Sequence, residues 1–257
     1  MHLNETHNHL RLYVTNISQS NTWTNEEFNI ANQQYEYWKC IWNDQFKKKS
    51  PEFVLSSDNF MRQKEIYSLH VNDKIIALIA ADIFDLNHVF TRDHSYFSEI
   101  PEDVFQTLKE KKALRCFTIN QLLVSQKWYG DARVVDIMAG LILHRLYTSF
   151  LKWAICYTRN IGKINTLGLR WTGQSIKSDF LVHNEPSDFV LFNKDSYLSA
   201  EIQLEKKIVT NLWDEYFSKP SQILKLNTEF GWNFNNYKQI MTKGELNEPN
   251  TYTENSL

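Results

Sequence analysis

The feature that most constrains this chain is a strand, helix and strand in direct succession at its centre. Leu114-Arg115-Cys116-Phe117-Thr118-Ile119-Asn120-Gln121-Leu122-Leu123-Val124 reads as a buried strand over 113–124. A polar turn over 125–130 follows. Val134, Val135, Met138, Leu141, Ile142, Leu146 and Phe150 then predict a long helix over 131–151, and 153–158 returns as a core strand. Two strands joined through one helix lie parallel in a sheet, with a right-handed crossover. Any fold for this chain must contain that pair.

The flanks demand antiparallel pairs. Residues 66–71 and 74–84 form a hairpin about Asn72-Asp73, and Ile75 to Ala81 reads as buried on both faces. A second hairpin is predicted from strands 180–183 and 189–192 about Asn184-Glu185-Pro186-Ser187. Thr24-Asn25-Glu26-Glu27 is a capping box opening a helix that carries Phe28, Ala31, Tyr35, Trp38 and Trp42 on one face and ends near Lys47-Lys48-Lys49. Shorter helices are expected over 101–112, with Pro101 in the first turn, and over 160–169. The fold class is α/β of the α+β type: a mixed central sheet flanked by helices, not doubly wound. Ile202, Ile208, Val209, Leu212, Trp213 and Tyr216 add a helix stopped by Pro220. The expected division is 1–199 and a helical C-terminal extension, 200–257. The first dozen residues and the last ten are expected to fray.

Composition removes several function classes. With 28 Lys+Arg against 30 Asp+Glu and a net charge of −2, the chain has no general positive surface for nucleic acid. Cys40, Cys116 and Cys156 are too scattered for a disulfide framework or a CxxC metal site. The polar start has no signal-peptide core, and no apolar run is long enough to span a bilayer, so a soluble cytoplasmic protein is expected. There is no GxGxxG or GxSxG, and Gly162-Lys163 lacks the upstream Gly of a P-loop.

The junction from Ile119 to Val135 carries the chemical interest. A buried strand enters a short loop with Gly130, and the loop opens the longest central helix. Amides at a helix N-terminus are unpaired and partly positive, Gly130 permits close approach, and Arg133 suits a phosphate. Such a junction can hold a diphosphate. On local grounds it reads more readily as an ordinary strand-to-helix turn, which every parallel crossover contains.

The order of elements, and a strand ending in Leu-Val before a Gly-containing loop and long helix, resemble the GCN5-related N-acetyltransferase superfamily over residues 24–193. The second hairpin, after Trp171-Thr172-Gly173, adds to the likeness. Lys127-Trp128-Tyr129-Gly130-Asp131-Ala132 fits that family's Arg/Gln-x-x-Gly-x-Gly/Ala motif with Lys in place of Arg or Gln. Counting from Val124 instead puts Tyr129, Ala132 and Val134 on the three key positions. Within the superfamily the chain resembles the long-chain acyltransferases, namely acyl-homoserine-lactone and N-acyl amino acid synthases, which have degenerate loops.

The resemblance implies an N-acyltransferase using acyl-CoA or acetyl-CoA as co-substrate, or an acyl carrier protein, with no metal. The pantetheine arm would pair with strand edges where 113–124 splays from 153–158. The diphosphate would meet Tyr129, Gly130, Asp131, Ala132, Arg133 and Val134, and a backbone N–H near Leu123 or Val124 would face the oxyanion. The acceptor would be an amine on a small molecule or a protein. The family often has a Tyr acid near the place of Leu169, where this chain has none; Tyr157 is the nearest phenol, and it reads more readily as a core aromatic than as that acid. Asn120 and Gln121 are polar within a buried strand, so one of them faces the cleft or the other side of the sheet. Asn160 reads as a pantetheine contact or a helix N-cap.

Other groups read blandly. Asp82, Asp85, His88, Asp93 and His94 are irregularly spaced acids and histidines, more in keeping with solvation than with a metal. His144 is expected on a helix surface or partly buried, and Cys116 and Cys156 as inert core thiols. Trp213, Tyr216 and Phe217, with Phe230, Trp232, Phe234 and Tyr237, would cover the acceptor site, form a homodimer contact or pack on a core face. The rival to an enzyme is a binding or regulatory protein that keeps the fold without catalysis.

Overall fold

The computed structural model describes residues 10–49, 55–160, 164–182, 184–199 and 203–219. The chain opens with β1 (Leu10–Asn16), a 3-10 turn, and α1 (Asn25–Lys49). The capping box is formed: the Thr24 amide donates to Glu27 Oε2 at 2.7 Å and the Glu27 amide to Thr24 Oγ1 at 3.3 Å. After α2 (Asp58–Met61) come β2 (Glu65–Val71) and β3 (Lys74–Asp85), joined by Asn72 and Asp73 at φ 50 and 61. Two consecutive left-handed residues are what a two-residue hairpin turn needs. Then follow α3 (Val89–Arg92), α4 (Glu102–Glu110), β4 (Arg115–Val124), α5 (Ala132–Thr148), β5 (Trp153–Arg159), α6 (Ile164–Arg170), β6 (Gln174–Val182), β7 (Glu185–Asn193) and α7 (Gln203–Phe217).

One seven-stranded sheet has the order β1-β2-β3-β4-β5-β7-β6. Every neighbouring pair is antiparallel except β4 and β5, the pair joined through α5. Helices α5, α6 and α7 cover one face. The other carries α1, whose Trp38 packs with Phe60, Ile66, Leu78, Ala80 and Leu123, and the segment 86–114, whose Leu86, Phe97, Phe105 and Leu108 pack on Ile155 and Phe189. Alanines at 77, 80 and 81 keep β3 thin where it is sandwiched between the helical layers. Between β2 and α5, Arg145 Nη2 lies 3.0 Å from Glu65 Oε1 with both side chains wholly buried, and the Tyr67 hydroxyl donates to the same carboxylate. Trp213 of α7 meets the Tyr67 ring edge-on at 6.0 Å.

Several expectations need correction. The first dozen residues were expected to fray, but from Leu10 the chain is a strand paired with β2 over seven residues, because Leu10 and Leu12 alternate into the core. The second hairpin turns one step earlier, about Asn184 at φ 61, so Glu185, Pro186 and Ser187 belong to β7. Pro186 is tolerated near the start of the strand, where a missing amide costs least. Pro101 is the residue that caps α4, one position before its first turn. His144 is buried, its Nδ1 3.2 Å from the Tyr197 hydroxyl. Helix α6 begins at Ile164; Gly162, Lys163, Pro220 and the aromatics at 230–237 lie outside the described residues. In α7, Leu212, Trp213, Tyr216 and Phe217 join the main core.

Candidate functional site

The site begins where the parallel pair comes apart. Strands β4 and β5 are in register at only two positions, Phe117 with Ala154 and Thr118 with Ile155. Beyond these, residues 119–124 pair with β3 alone and residues 156–159 with β7 alone. Two strand edges therefore face each other across a gap at their C-terminal ends. On the two strands, Asn120 Oδ1 of β4 and Thr158 Oγ1 of β5 are buried with no hydrogen-bond partner among the described residues, whereas Asn160 is turned to Asp179 of β6 and the Tyr96 hydroxyl meets the backbone of Tyr157.

A β-bulge shapes the β4 edge. Register with β3 shifts between Leu78 and Ala80, opposite Gln121, whose φ of 52 is left-handed. The bulge places Asn120 and Gln121 on the same side, toward α1, instead of alternating. Gln121 Oε1 accepts from Trp38 Nε1 of α1. Asn120 Nδ2 donates to Gln63 Oε1 at 3.2 Å and Thr118 Oγ1 at 3.1 Å. Next to them, the buried Asp82 carboxylate has Lys64 Nζ at 3.3 Å, and burial pushes its pKa up to about 6 despite that cation.

The turn after β4 is less open than its sequence implies. Gly130 has φ 94, and a methyl group there would meet nothing within 4 Å, so the chain leaves space beside it. Yet the Tyr129 amide donates to Gln126 O, Asp131 to Trp128 O, and Val134 to Asp131 O. Asp131 is the N-cap of α5, its Oδ1 accepting from the Arg133 amide at 3.0 Å. The Arg133 guanidinium is held by Glu205 of α7, Nε to Oε1 at 2.7 Å. The expectation of bare amides is thus corrected: four of the amides from Tyr129 to Val134 are bonded within the turn, because Asp131 supplies the cap that a ligand would otherwise provide.

The remaining predicted residues divide between this gap and the core. Leu123 is buried against α1, Val124 packs toward α5, and Val134 is fully buried. Ala132 opens α5, and Tyr129 is 81% exposed and no core aromatic. Tyr157 borders the gap with its ring 4.9 Å from that of Tyr96, and burial raises its pKa. Asn160 donates from Nδ2 to Asp179 Oδ1 at 2.6 Å and from its amide to Pro186 O at 2.9 Å. Arg159 sits at the mouth, ion-paired with Glu185 at 2.8 Å and 5.8 Å from the centre of the Trp42 ring.

A mixed sheet of this strand order, whose single parallel pair is crossed by the central helix and then parts, decides the architecture. This is the mixed, mostly antiparallel sheet that the resemblance to the GCN5-related N-acetyltransferases implies. No family model matches the chain, and no curated protein matches it. Among solved structures it is similar to FeeM, an N-acyl amino acid synthase from uncultured soil microbes, at 7% identity over 74% of this chain and 94% of that one, TM-score 0.47. It is similar to the AHL synthase LasI at 6% identity over 72% and 90%, TM-score 0.46. A third is NAA60 of Arabidopsis thaliana in complex with acetyl-CoA, at 10% identity over 72% and 98%, TM-score 0.42.

Three residues near the site went unread in the sequence as parts of it. Asp82 closes the apolar run of β3, three residues before the strand ends, and an acid closing such a run inside a strand is a signal for burial. Tyr96 comes from an irregular connection whose path no periodicity reveals. Glu205 reaches Arg133 from 72 residues away, a pairing without local trace. Cys116 and Cys156 are buried, with thiol pKa values pushed up by burial, for Cys156 to about 12, which suits inert thiols. Among the described residues no group of three or more His, Cys, Asp and Glu converges, and no helix is long and apolar enough to cross a membrane. A cavity of about 480 Å³ runs along β1 between Trp23 and Tyr216, at the far edge of the sheet, and none of the residues of the gap lines it.

Proposed function

We propose that this chain is an N-acyltransferase that moves an acyl group from a pantetheine thioester to an amine by direct attack. The observation that supports it most is the parted β4–β5 pair, whose C-terminal edges face each other without pairing. An extended pantetheine arm has amides and carbonyls spaced to pair with such edges, at Val124 on one side and at Tyr157 and Arg159 on the other, since the amides of Ser125 and Asn160 are turned to β3 and β7. Acyl-CoA is one donor of this class and an acyl carrier protein another.

In the reaction the amine nitrogen forms a bond to the thioester carbon and the carbon–sulfur bond breaks. The nitrogen gives up a proton and the departing thiolate takes one. Asp82, a buried carboxylate with a pKa near 6 paired across the sheet with Thr118, to which Asn120 donates, is suited to accept the first through water. Tyr157, kept protonated by burial, is suited to supply the second.

The test is acyl transfer by the purified chain from acyl-pantetheine thioesters to a panel of amines, followed as thiol release and as acylamide by mass spectrometry. Amine-dependent thiol release is expected. Absence of both transfer and thermal stabilisation by any thioester would sink the reading. The rival, a binding protein with this fold but no chemistry, is favoured by the turn whose amides are already bonded; stabilisation by a thioester without transfer to any amine would select it.

A further inference from the structure

Among the described residues no strand pairs with the outer edge of β1. Its pairing with β2 is regular over all seven residues, so the N–H and C=O groups that point away from β2 form an unbroken row. The cavity of about 480 Å³ follows that row. Its floor is residues 11–16, taken from both faces of the strand, and no residue of β2 lines it. Trp23, Glu26 and Ile30, at the start of α1, form one wall, and Leu212, Tyr216 and Lys219, at the end of α7, the other. A groove that takes in both faces of an edge strand has the shape of a missing neighbour, which would lie about 4.8 Å further out. Asn16, which also lines it, is 6% exposed. Its Oδ1 accepts from the Ser18 amide and hydroxyl, while its Nδ2 has no partner among the described residues. A carbonyl seated in the groove would meet that donor.

The chain leaves α7 at this groove. Lys219, the last described residue, has its Nζ 3.9 Å from Glu26 and 5.9 Å from the centre of the Tyr13 ring. Beyond it, residues 224–235 alternate strictly: Leu224, Leu226, Thr228, Phe230, Trp232 and Phe234 are interleaved with Lys, Asn, Glu, Gly, Asn and Asn. Such a period of two is the pattern of a strand with one buried face, and a strand needs a sheet edge for its backbone. The sheet offers two. The pairing of β6 with β7 shifts register twice, which blunts that edge, and β6 lies six strands, or about 29 Å, from β1. The alternating run starts five residues past Lys219, about 17 Å at full extension, so β1 is the edge within reach. We propose that residues 224–235 add an eighth strand to the sheet, pairing with β1 between α1 and α7. The proposal stands apart from the acyltransferase reading, since the groove and the gap share no residue.

The test is amide hydrogen exchange of the full chain, resolved residue by residue with NMR. An edge strand without an outer neighbour leaves every second amide open to water, whereas a strand paired on both sides protects them all. The amides from Arg11 to Thr15 are all expected to exchange slowly, together with alternate amides of 224–235. Trp232→Ser with Phe234→Ser should speed the outward amides of β1 about tenfold or more and leave those of β3 and β4 as they were. If that double variant fails to fold, Asn233→Pro, which removes one N–H from the added strand, makes the same comparison. Fast exchange at every second residue of β1 in the wild type would overturn the proposal, as would outward amides that stay slow in the variants. Protection that fades on about hundredfold dilution would also overturn it and give the edge to a second copy of the chain.

Discussion

At the scale of single residues, Asp82 carries the most consequence. Burial lifts its pKa from 3.8 to about 6, against the pull of Lys64. The folded chain therefore keeps a proton that the unfolded chain releases near pH 4. The stabilisation from that proton is complete below about pH 4 and is lost as the pH rises through 6. In neutral solution the ionised group is a burden, so Asp82→Asn should raise stability at pH 7.5 by on the order of 2 kcal/mol, read from urea midpoints. The same change should lower kcat about 100-fold or more and abolish an acid limb near pH 6, as loss of a general base does. Stability gained while turnover is lost would separate function from folding. Sequence showed that an acid closes an apolar run, but its burial beside Lys64 depends on the register of β3 with the strands on either side.

At the scale of elements, the caps and turns were legible because their signals are local. Thr24 and Glu27 bond each other's amides as the S/T-x-x-E pattern demands. Thr24→Ala should cost about 1 kcal/mol in thermal or urea unfolding. Gly173, before β6, is fixed by packing: a methyl group there would lie 2.4 Å from Val190 Cγ1 and 2.7 Å from the Gly168 carbonyl oxygen. Since backbone cannot yield cheaply, Gly173→Ala should cost roughly 1–3 kcal/mol, measured the same way. Gly130→Ala meets no atom and should lose only about 1 kcal/mol, from its positive φ. The β4 bulge was half legible. Two adjacent amides, Asn120 and Gln121, interrupt an apolar strand, and an extra residue on one side is one way to seat both. Register supplies the rest, and register is a property of two strands.

For the whole molecule, the central strand–helix–strand and its flanking hairpins gave the sheet, since a parallel crossover between antiparallel pairs leaves few arrangements. The N-terminal strand was missed because its seven residues sit beside a polar stretch and gain their order from β2. The assembled fold also buries two neutral histidines. His70 lies 2.9 Å from Ser68 Oγ under α1, and His144 packs on Trp213 under α7; burial lowers each pKa from 6.5 to about 4. Here the unfolded chain takes protons that the folded chain refuses, so stability is whole above pH 6.5 and drains away as the pH falls toward 4. Each histidine should contribute a loss on the order of 3 kcal/mol, more together than Asp82 returns over the same range. Urea midpoints at pH 7.5 and 4 should differ accordingly, and His70→Gln should flatten the difference.

The pair of charges between β2 and α5 also decides where the chain can be cut. Glu65 and Arg145 lie in the dark of the molecule, and the indole of Trp213 is part of the roof that keeps rain off them. A gene shortened to stop at residue 199 would strip that roof and let water in upon two ions that had already given up their own hydration. The product to expect is an insoluble or protease-sensitive chain rather than a smaller enzyme, and limited proteolysis of the shortened chain beside the full-length one would reveal it.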